Sequence, residues 1–152
     1  YMPRREMTPL ARAERAMNNF NLYWTQYGLG AWGVTDKKDG QFLGSCYLEP
    51  PEDSGTGDVE LGYDLAKAFW GRGLGTEAAR AAIRFSFENN KLERIVAIVV
   101  PENIGSWRVL EHIGFVYVKN AHIYDFDVVY YAITREQFQP SDSFYQVHAS
   151  KL

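Results

Sequence analysis

The stretch from Val59 to Val100 narrows the choice of fold more than any other part of this chain. Val59-Glu60-Leu61-Gly62-Tyr63-Asp64-Leu65 alternates, with Val59, Leu61, Tyr63 and Leu65 on one face and Glu60, Gly62 and Asp64 on the other, the period of a half-buried strand. A turn with glycines at the alternate positions Gly71, Gly73 and Gly75 follows. Glu77 to Asn90 then carries Ala79, Ile83 and Phe87 as an apolar helical stripe, and Glu77, Arg80, Arg84 and Glu88 are placed to pair on the outside. Arg94 to Val100 is an almost unbroken β-branched run, as expected of a strand covered on both faces. Strand, helix and buried strand in that order predict a right-handed crossover between two parallel strands.

Around this unit the other elements read as helix and antiparallel strands. Leu10, Ala13, Met17, Phe20, Trp24 and Tyr27 recur at helical spacing, with Thr8 as cap, Pro9 at the first position and Gly28 at the end. Ala31 to Thr35 and Phe42 to Leu48 predict a hairpin through Asp36-Lys37-Lys38-Asp39-Gly40, and Pro50 to Gly57 a loop. Asn103 and Gly114 bracket a short helix. Phe115 to Val118 and Val128 to Ile133 predict two antiparallel strands joined through His122 to Asp127. The fold class expected is mixed α/β: a mostly antiparallel central sheet with one parallel pair, flanked by helices. Residues 1–138 form a single domain in this reading, and 139–152 a polar tail without period.

Length and charge then restrict what such a domain does. The 152 residues, 46% of them apolar, suffice for one core. A formal charge of −3 with dispersed basic residues offers no footprint for nucleic acid. No apolar run approaches the roughly 18 residues a membrane span needs, and no signal peptide is evident. The single cysteine, Cys46, forms no internal disulfide, and no His/Cys spacing suggests a metal site. A soluble, cytoplasmic protein without metal, nucleic-acid or membrane partner is the expectation.

Alternating glycines between strand and helix let backbone amides crowd toward one anion, and the helix dipole favours phosphate there. The same turn also serves as a tight connection that binds nothing. A P-loop is excluded because no lysine follows Gly75, and a dinucleotide fingerprint because its sixth position is Thr76 rather than glycine. What remains is a pyrophosphate gripped rather than cleaved, with Arg72 as the one cation inside the turn or a surface charge.

Trp70-Gly71-Arg72-Gly73-Leu74-Gly75 resembles the pyrophosphate loop of the GNAT superfamily of N-acetyltransferases, written Gln/Arg-x-x-Gly-x-Gly/Ala, with Trp70 in the first position. The Trp-Gly opening followed by Thr76-Glu77-Ala78 is similar to the branch holding the ribosomal-protein N-terminal acetyltransferases for alanine and serine. Asn103-Ile104-Gly105-Ser106-Trp107-Arg108-Val109-Leu110-Glu111-His112-Ile113-Gly114-Phe115 resembles that branch's N-x-x-S-x-x-V-L-E-x-x-G-F. The resemblance covers roughly Leu29 to Phe138, and it makes the helix at Thr8 to Tyr27 the family's second. The family's first strand and helix are expected to be missing, in line with a start at Tyr1 rather than methionine.

The resemblance implies acetyl transfer from acetyl-CoA to a primary amine by direct attack, with acetyl-CoA in a V-shaped gap between the parallel strands. The acceptor is a protein N-terminus or a small amine, and the protein a monomer or homodimer. Trp70, Gly71, Arg72, Gly73, Gly75 and Thr76 would hold the pyrophosphate, and Asn103 the pantetheine. The backbone of Asp64 or Leu65 would meet the oxyanion and the pantetheine arm. Glu60 is the implied general base, through water, or else an exposed strand residue. The tyrosine many members use for the leaving thiolate is replaced by Leu110, and Ser106 is the implied substitute, or merely a residue satisfying the helix start. His112, His122 and Cys46 form no evident nucleophile with a positioned His–acid pair. A non-catalytic acyl-CoA-binding module and a nucleotide-dependent phosphotransferase are the competing readings.

Overall fold

The structure, a computed structural model, describes residues 7–140; the expected tail lies almost wholly outside them. The order is α1 (Pro9–Tyr27), β1 (Ala31–Thr35), β2 (Phe42–Glu49), β3 (Glu60–Leu65), a 3-10 turn (Lys67–Phe69), α2 (Leu74–Asn89), β4 (Arg94–Val99), α3 (Ile104–Ile113), β5 (Val116–Ile123) and β6 (Phe126–Thr134). One sheet has the strand order β1-β2-β3-β4-β6-β5, and only β3 and β4 run parallel.

The main core lies on the sheet face covered by α2 and α3. Leu48, Leu61, Ile95 and Ile133 from the strands meet Ala79, Ile83 and Phe87 of α2 and Leu110 and Ile113 of α3. The stripe predicted for α2 is therefore the buried one. β4 buries Ile95, Val96, Ala97 and Val99, which puts apolar cover on both its faces, as a central strand requires. On the opposite face Val96, Tyr130 and Ala132 form a smaller cluster, and α1 rests against the same side through Phe20 on Tyr47 of β2, 5.2 Å between centroids.

Several boundaries and contacts differ from the sequence reading, each for a local reason. α2 starts at Leu74, not Glu77, because left-handed Gly73 caps it and the Glu77 amide already donates to Gly73 O at 3.0 Å. Arg80 does not pair with Glu77; it crosses to the carbonyls of His112 and Gln139 and ties α2 to the end of α3. The α1 stripe is buried only in part: Leu10 and Met17 are exposed at 68% and 60%, while Tyr23 is the buried residue. Phe20, Tyr23 and Trp24 reach the body of the protein; the helix's first two turns do not. The segment His122 to Asp127 is strand on both sides of a two-residue turn at Tyr124-Asp125, whose φ values of 54° and 64° make it the primed type that matches strand twist. The glycine that usually marks such a turn is absent, so its sequence carries no signal.

Candidate active site

The parallel pair barely pairs. β2 and β3 stay in register from Glu49↔Glu60 to Gly44↔Leu65, and β4 and β6 from Arg94↔Thr134 to Val99↔Val129. Between β3 and β4 the ladder holds only Glu60↔Val96, with Val96 N donating to Val59 O at 2.9 Å. Beyond Glu60 the strands part and leave the V-shaped gap. Its closed end is tied by side chains: Arg94 Nη2 lies 2.7 Å from Asp58 Oδ2, and the Tyr130 hydroxyl donates to the same oxygen at 2.9 Å. That carboxylate joins the entry of β3 to β4 and β6 where they still touch.

Alternation decides which groups of β3 line the gap. Because Val59 O accepts from β4, Leu61, Tyr63 and Leu65 direct their backbone groups toward the gap, and Glu60, Gly62 and Asp64 toward β2. Asp64 is thereby corrected: its amide faces Ser45 of β2, and the gap-facing amides are those of Tyr63 and Leu65. No register shift interrupts the β2–β3 pair, so the splay arises from β3 leaving β4 rather than from a bulge. Trp70 folds back, its Nε1 donating to Leu65 O at 2.7 Å. This occupies the Leu65 carbonyl and leaves the amide.

At the mouth of the gap stands the start of α2. Gly71 and Gly73 both have φ of 75°, and a Cβ on either would point into open space. Gly73 caps the helix with no side-chain hydrogen bond, so the amides of Leu74, Gly75 and Thr76 have no side-chain cap of their own. Free amides at a helix N-terminus, next to left-handed glycines, make an anion cradle. Gly75 and Thr76 belong to the helix itself, and Leu74, which the sequence reading passed over, opens it. Gly75 packs on β3, where a Cβ would lie 3.7 Å from both Leu65 and Tyr63 side chains. Arg72 is exposed and lies over the Phe69 ring, 5.9 Å to its centroid.

Glu60 and Ser106 stand on opposite sides of the gap. Glu60, half-buried with one carboxylate oxygen shielded from solvent, faces the α1 side, directly across from Glu49. Ser106 lies in the first turn of α3, on the side of the main core, where Asn103 Oδ1 accepts from its amide at 3.2 Å. Asn103 thus caps α3, and its Nδ2 hydrogens are what it can offer a ligand. Leu110 is buried in the core at 1% exposure. Tyr63 is the residue the sequence reading missed. Its hydroxyl donates to Ser106 O at 3.1 Å, bridging β3 to α3 beneath the gap, and burial pushes its phenol pKa up. Its place in an apolar alternation made it read as core.

Cys46 behaves as expected of a buried thiol: it is 1% exposed, and burial pushes its pKa up to about 12. Iodoacetamide at pH 8 is expected to leave native protein unmodified and to alkylate it fully in urea, by intact mass. His122 does have an acid partner, contrary to the sequence reading: Nδ1 lies 2.9 Å from Asp127 Oδ1 across the β5–β6 hairpin. The pair sits on exposed ends of β5 and β6, with β3 and β4 lying between it and the strand that carries Cys46. Among the described residues no group of three or more His, Cys, Asp or Glu comes together, and no helix is long and apolar enough to cross a membrane.

Comparison with known proteins agrees with this geometry. The chain is similar to the probable N-acetyltransferase YjcK of Bacillus subtilis (strain 168), 38% identical over 84 residues, 55% of this chain and 46% of that protein. It is 34% identical over 90 residues to the putative ribosomal N-acetyltransferase YdaF of the same organism, 53% of this chain and 48% of the relative. The chain spans about half the length of the curated relatives it matches. An acetyltransferase structure from Agrobacterium tumefaciens str. C58 superposes with a TM-score of 0.70 at 27% identity, over 84% of this chain and 72% of that one. Residues 1–116 match the family described as Acetyltransferase (GNAT) domain. A sheet that splays at its one parallel pair, beside a helix start without a side-chain cap, is therefore not an isolated coincidence of geometry: the chain belongs to the GNAT acetyltransferase family.

Proposed function

We propose that the protein transfers an acetyl group from acetyl-CoA to a primary amine by direct attack. The observation that carries this reading is the opening of β3 from β4 immediately after Glu60, in line with the bare amides at the start of α2. The pyrophosphate of coenzyme A suits the amides of Gly73 to Thr76, with Gly71 and Gly73 leaving room for close approach. Arg72 is free to leave Phe69 for the phosphates. The pantetheine arm suits the unpaired edge of β3 at Tyr63 and Leu65, with Asn103 Nδ2 on the other wall.

The two sides of the gap divide the chemistry. On the α1 side Glu60 takes the proton of the incoming ammonium through water, since a carboxylate on that face meets the acceptor before the gap does. The amine nitrogen attacks the thioester carbon; the C–N bond forms, the C–S bond breaks, and the second proton of the nitrogen passes to the departing sulfur, so that coenzyme A leaves as the thiol. The Tyr63 and Leu65 amides face the developing oxyanion, and Tyr63 is the nearer of the two to Glu60 along the strand. On the α3 side Ser106 Oγ donates to the leaving sulfur, which the buried Leu110 has no group to do. The names of the relatives make a protein N-terminus one acceptor to try, beside polyamines and amino sugars.

Release of free thiol from acetyl-CoA, followed across a panel of peptides and small amines, tests the reading. Acceptor-dependent release is the expected result. Tight coenzyme A binding without release from any acceptor would favour the acyl-CoA-binding module, which the replacement of tyrosine by Leu110 keeps in view.

A further inference from the structure

Tyr47 stands on β2 directly opposite Gly62 of β3, and the next pair on the same face is Glu49↔Glu60. A Cβ built on Gly62 would lie 2.2 Å from Tyr47 Cζ and 2.4 Å from its hydroxyl oxygen. The tip of the phenol therefore occupies the space where a side chain at position 62 would be. Phe20 of α1 holds the ring from the other side at 5.2 Å, and Tyr47 remains half-buried. Gly62 is two residues past Glu60, on the length of β3 that has already left β4. The Tyr47 tip is thus laid over the wall of the gap, next along it from Glu60.

We propose that Tyr47 is a specificity-determining residue for the amine acceptor, its phenol tip resting over Gly62 and positioning the reacting nitrogen beside Glu60. The proposal rests on the acetyltransferase reading and extends it to the acceptor. A primary amine that has given up one proton to Glu60 still carries two N–H hydrogens, and a phenol oxygen accepts one of them while the lone pair turns toward the gap. Before that transfer the acceptor is an ammonium ion. The class of acceptor that fits is an unhindered primary amine, with little room for substituents on the reacting nitrogen because the phenol tip fills that side.

Tyr47→Phe keeps the ring against Phe20 and removes only the hydroxyl. The expected result is an amine KM raised on the order of tenfold, with coenzyme A affinity by calorimetry as in the parent. Gly62→Ala, whose methyl displaces the phenol tip, is expected to raise the amine KM as well and to lower Tm. Adding Tyr47→Leu to Gly62→Ala is expected to recover the Tm and not the KM. An amine KM unchanged in both single variants, or a loss confined to kcat, overturns the proposal and leaves the acetyltransferase reading standing. Absence of acceptor-dependent thiol release from the unaltered protein overturns that reading, and this proposal with it.

Discussion

Glu60→Gln is expected to lower kcat on the order of a hundredfold, which is about 2.7 kcal/mol of barrier. The side chain keeps its size and its half-buried place on β3, so neither the β2–β3 register nor the α2 start should move. Coenzyme A affinity is expected to stay within about twofold, the loss appearing in turnover alone. The pH profile gives an independent reading. In the parent, kcat/KM falls on the acid side as the base takes up its proton, and that limb is expected to vanish in the glutamine variant. Ser106→Ala, on the other side of the gap, is expected to cost about tenfold in kcat. Its backbone amide still meets Asn103 Oδ1, so α3 keeps its cap. Normal turnover in both variants would remove both residues from the chemistry without touching the claim on coenzyme A.

Gly44→Ala is expected to destabilise the fold by about 3 kcal/mol. A Cβ at this position of β2 would come 2.1 Å from Asp64 O and 2.8 Å from Leu65 Cα. Both are backbone atoms, so no rotamer change relieves the clash; the end of β3 has to shift. Urea unfolding measures the loss, and a Tm lower by about 10 °C is the thermal counterpart for a domain of this size. The displaced segment is the one that offers the Leu65 amide to the gap and its carbonyl to Trp70. Coenzyme A binding is therefore expected to weaken together with stability, in contrast to Glu60→Gln. A variant within about 0.5 kcal/mol of the parent would show that β2 yields there.

Patterns with a short physical period were legible in the sequence. Apolar spacing along Glu77 to Asn90 located the buried stripe of α2, because a helix packed on one side needs just that spacing. The β-branched run from Arg94 located a strand covered on both faces, and strand-helix-strand order dictated the parallel pair through the handedness of crossovers. The caps Thr8, Asn103 and Gly114 were legible for the same reason: each acts on backbone groups only a few residues away. The missing lysine after Gly75 excluded one nucleotide-binding loop and the glycine spacing another, since a motif is itself a statement of local geometry.

Only the tertiary structure decided what depends on residues far apart in the chain. Whether β3 and β4 remain paired beyond Glu60 is set by what β2, β6 and α3 do around them, and no period along β3 records it. The direction of the Asp64 amide follows from which neighbour Val59 bonds, so the choice between Asp64 and Leu65 waited for the register. Tyr63 reached α3, and Tyr47 came to lie over Gly62, through partners 43 residues away in one case and on a neighbouring strand in the other. A tyrosine in an alternating strand reads as core because burial is all that the alternation encodes; whether its hydroxyl also meets a ligand is decided by what the fold leaves open beside it.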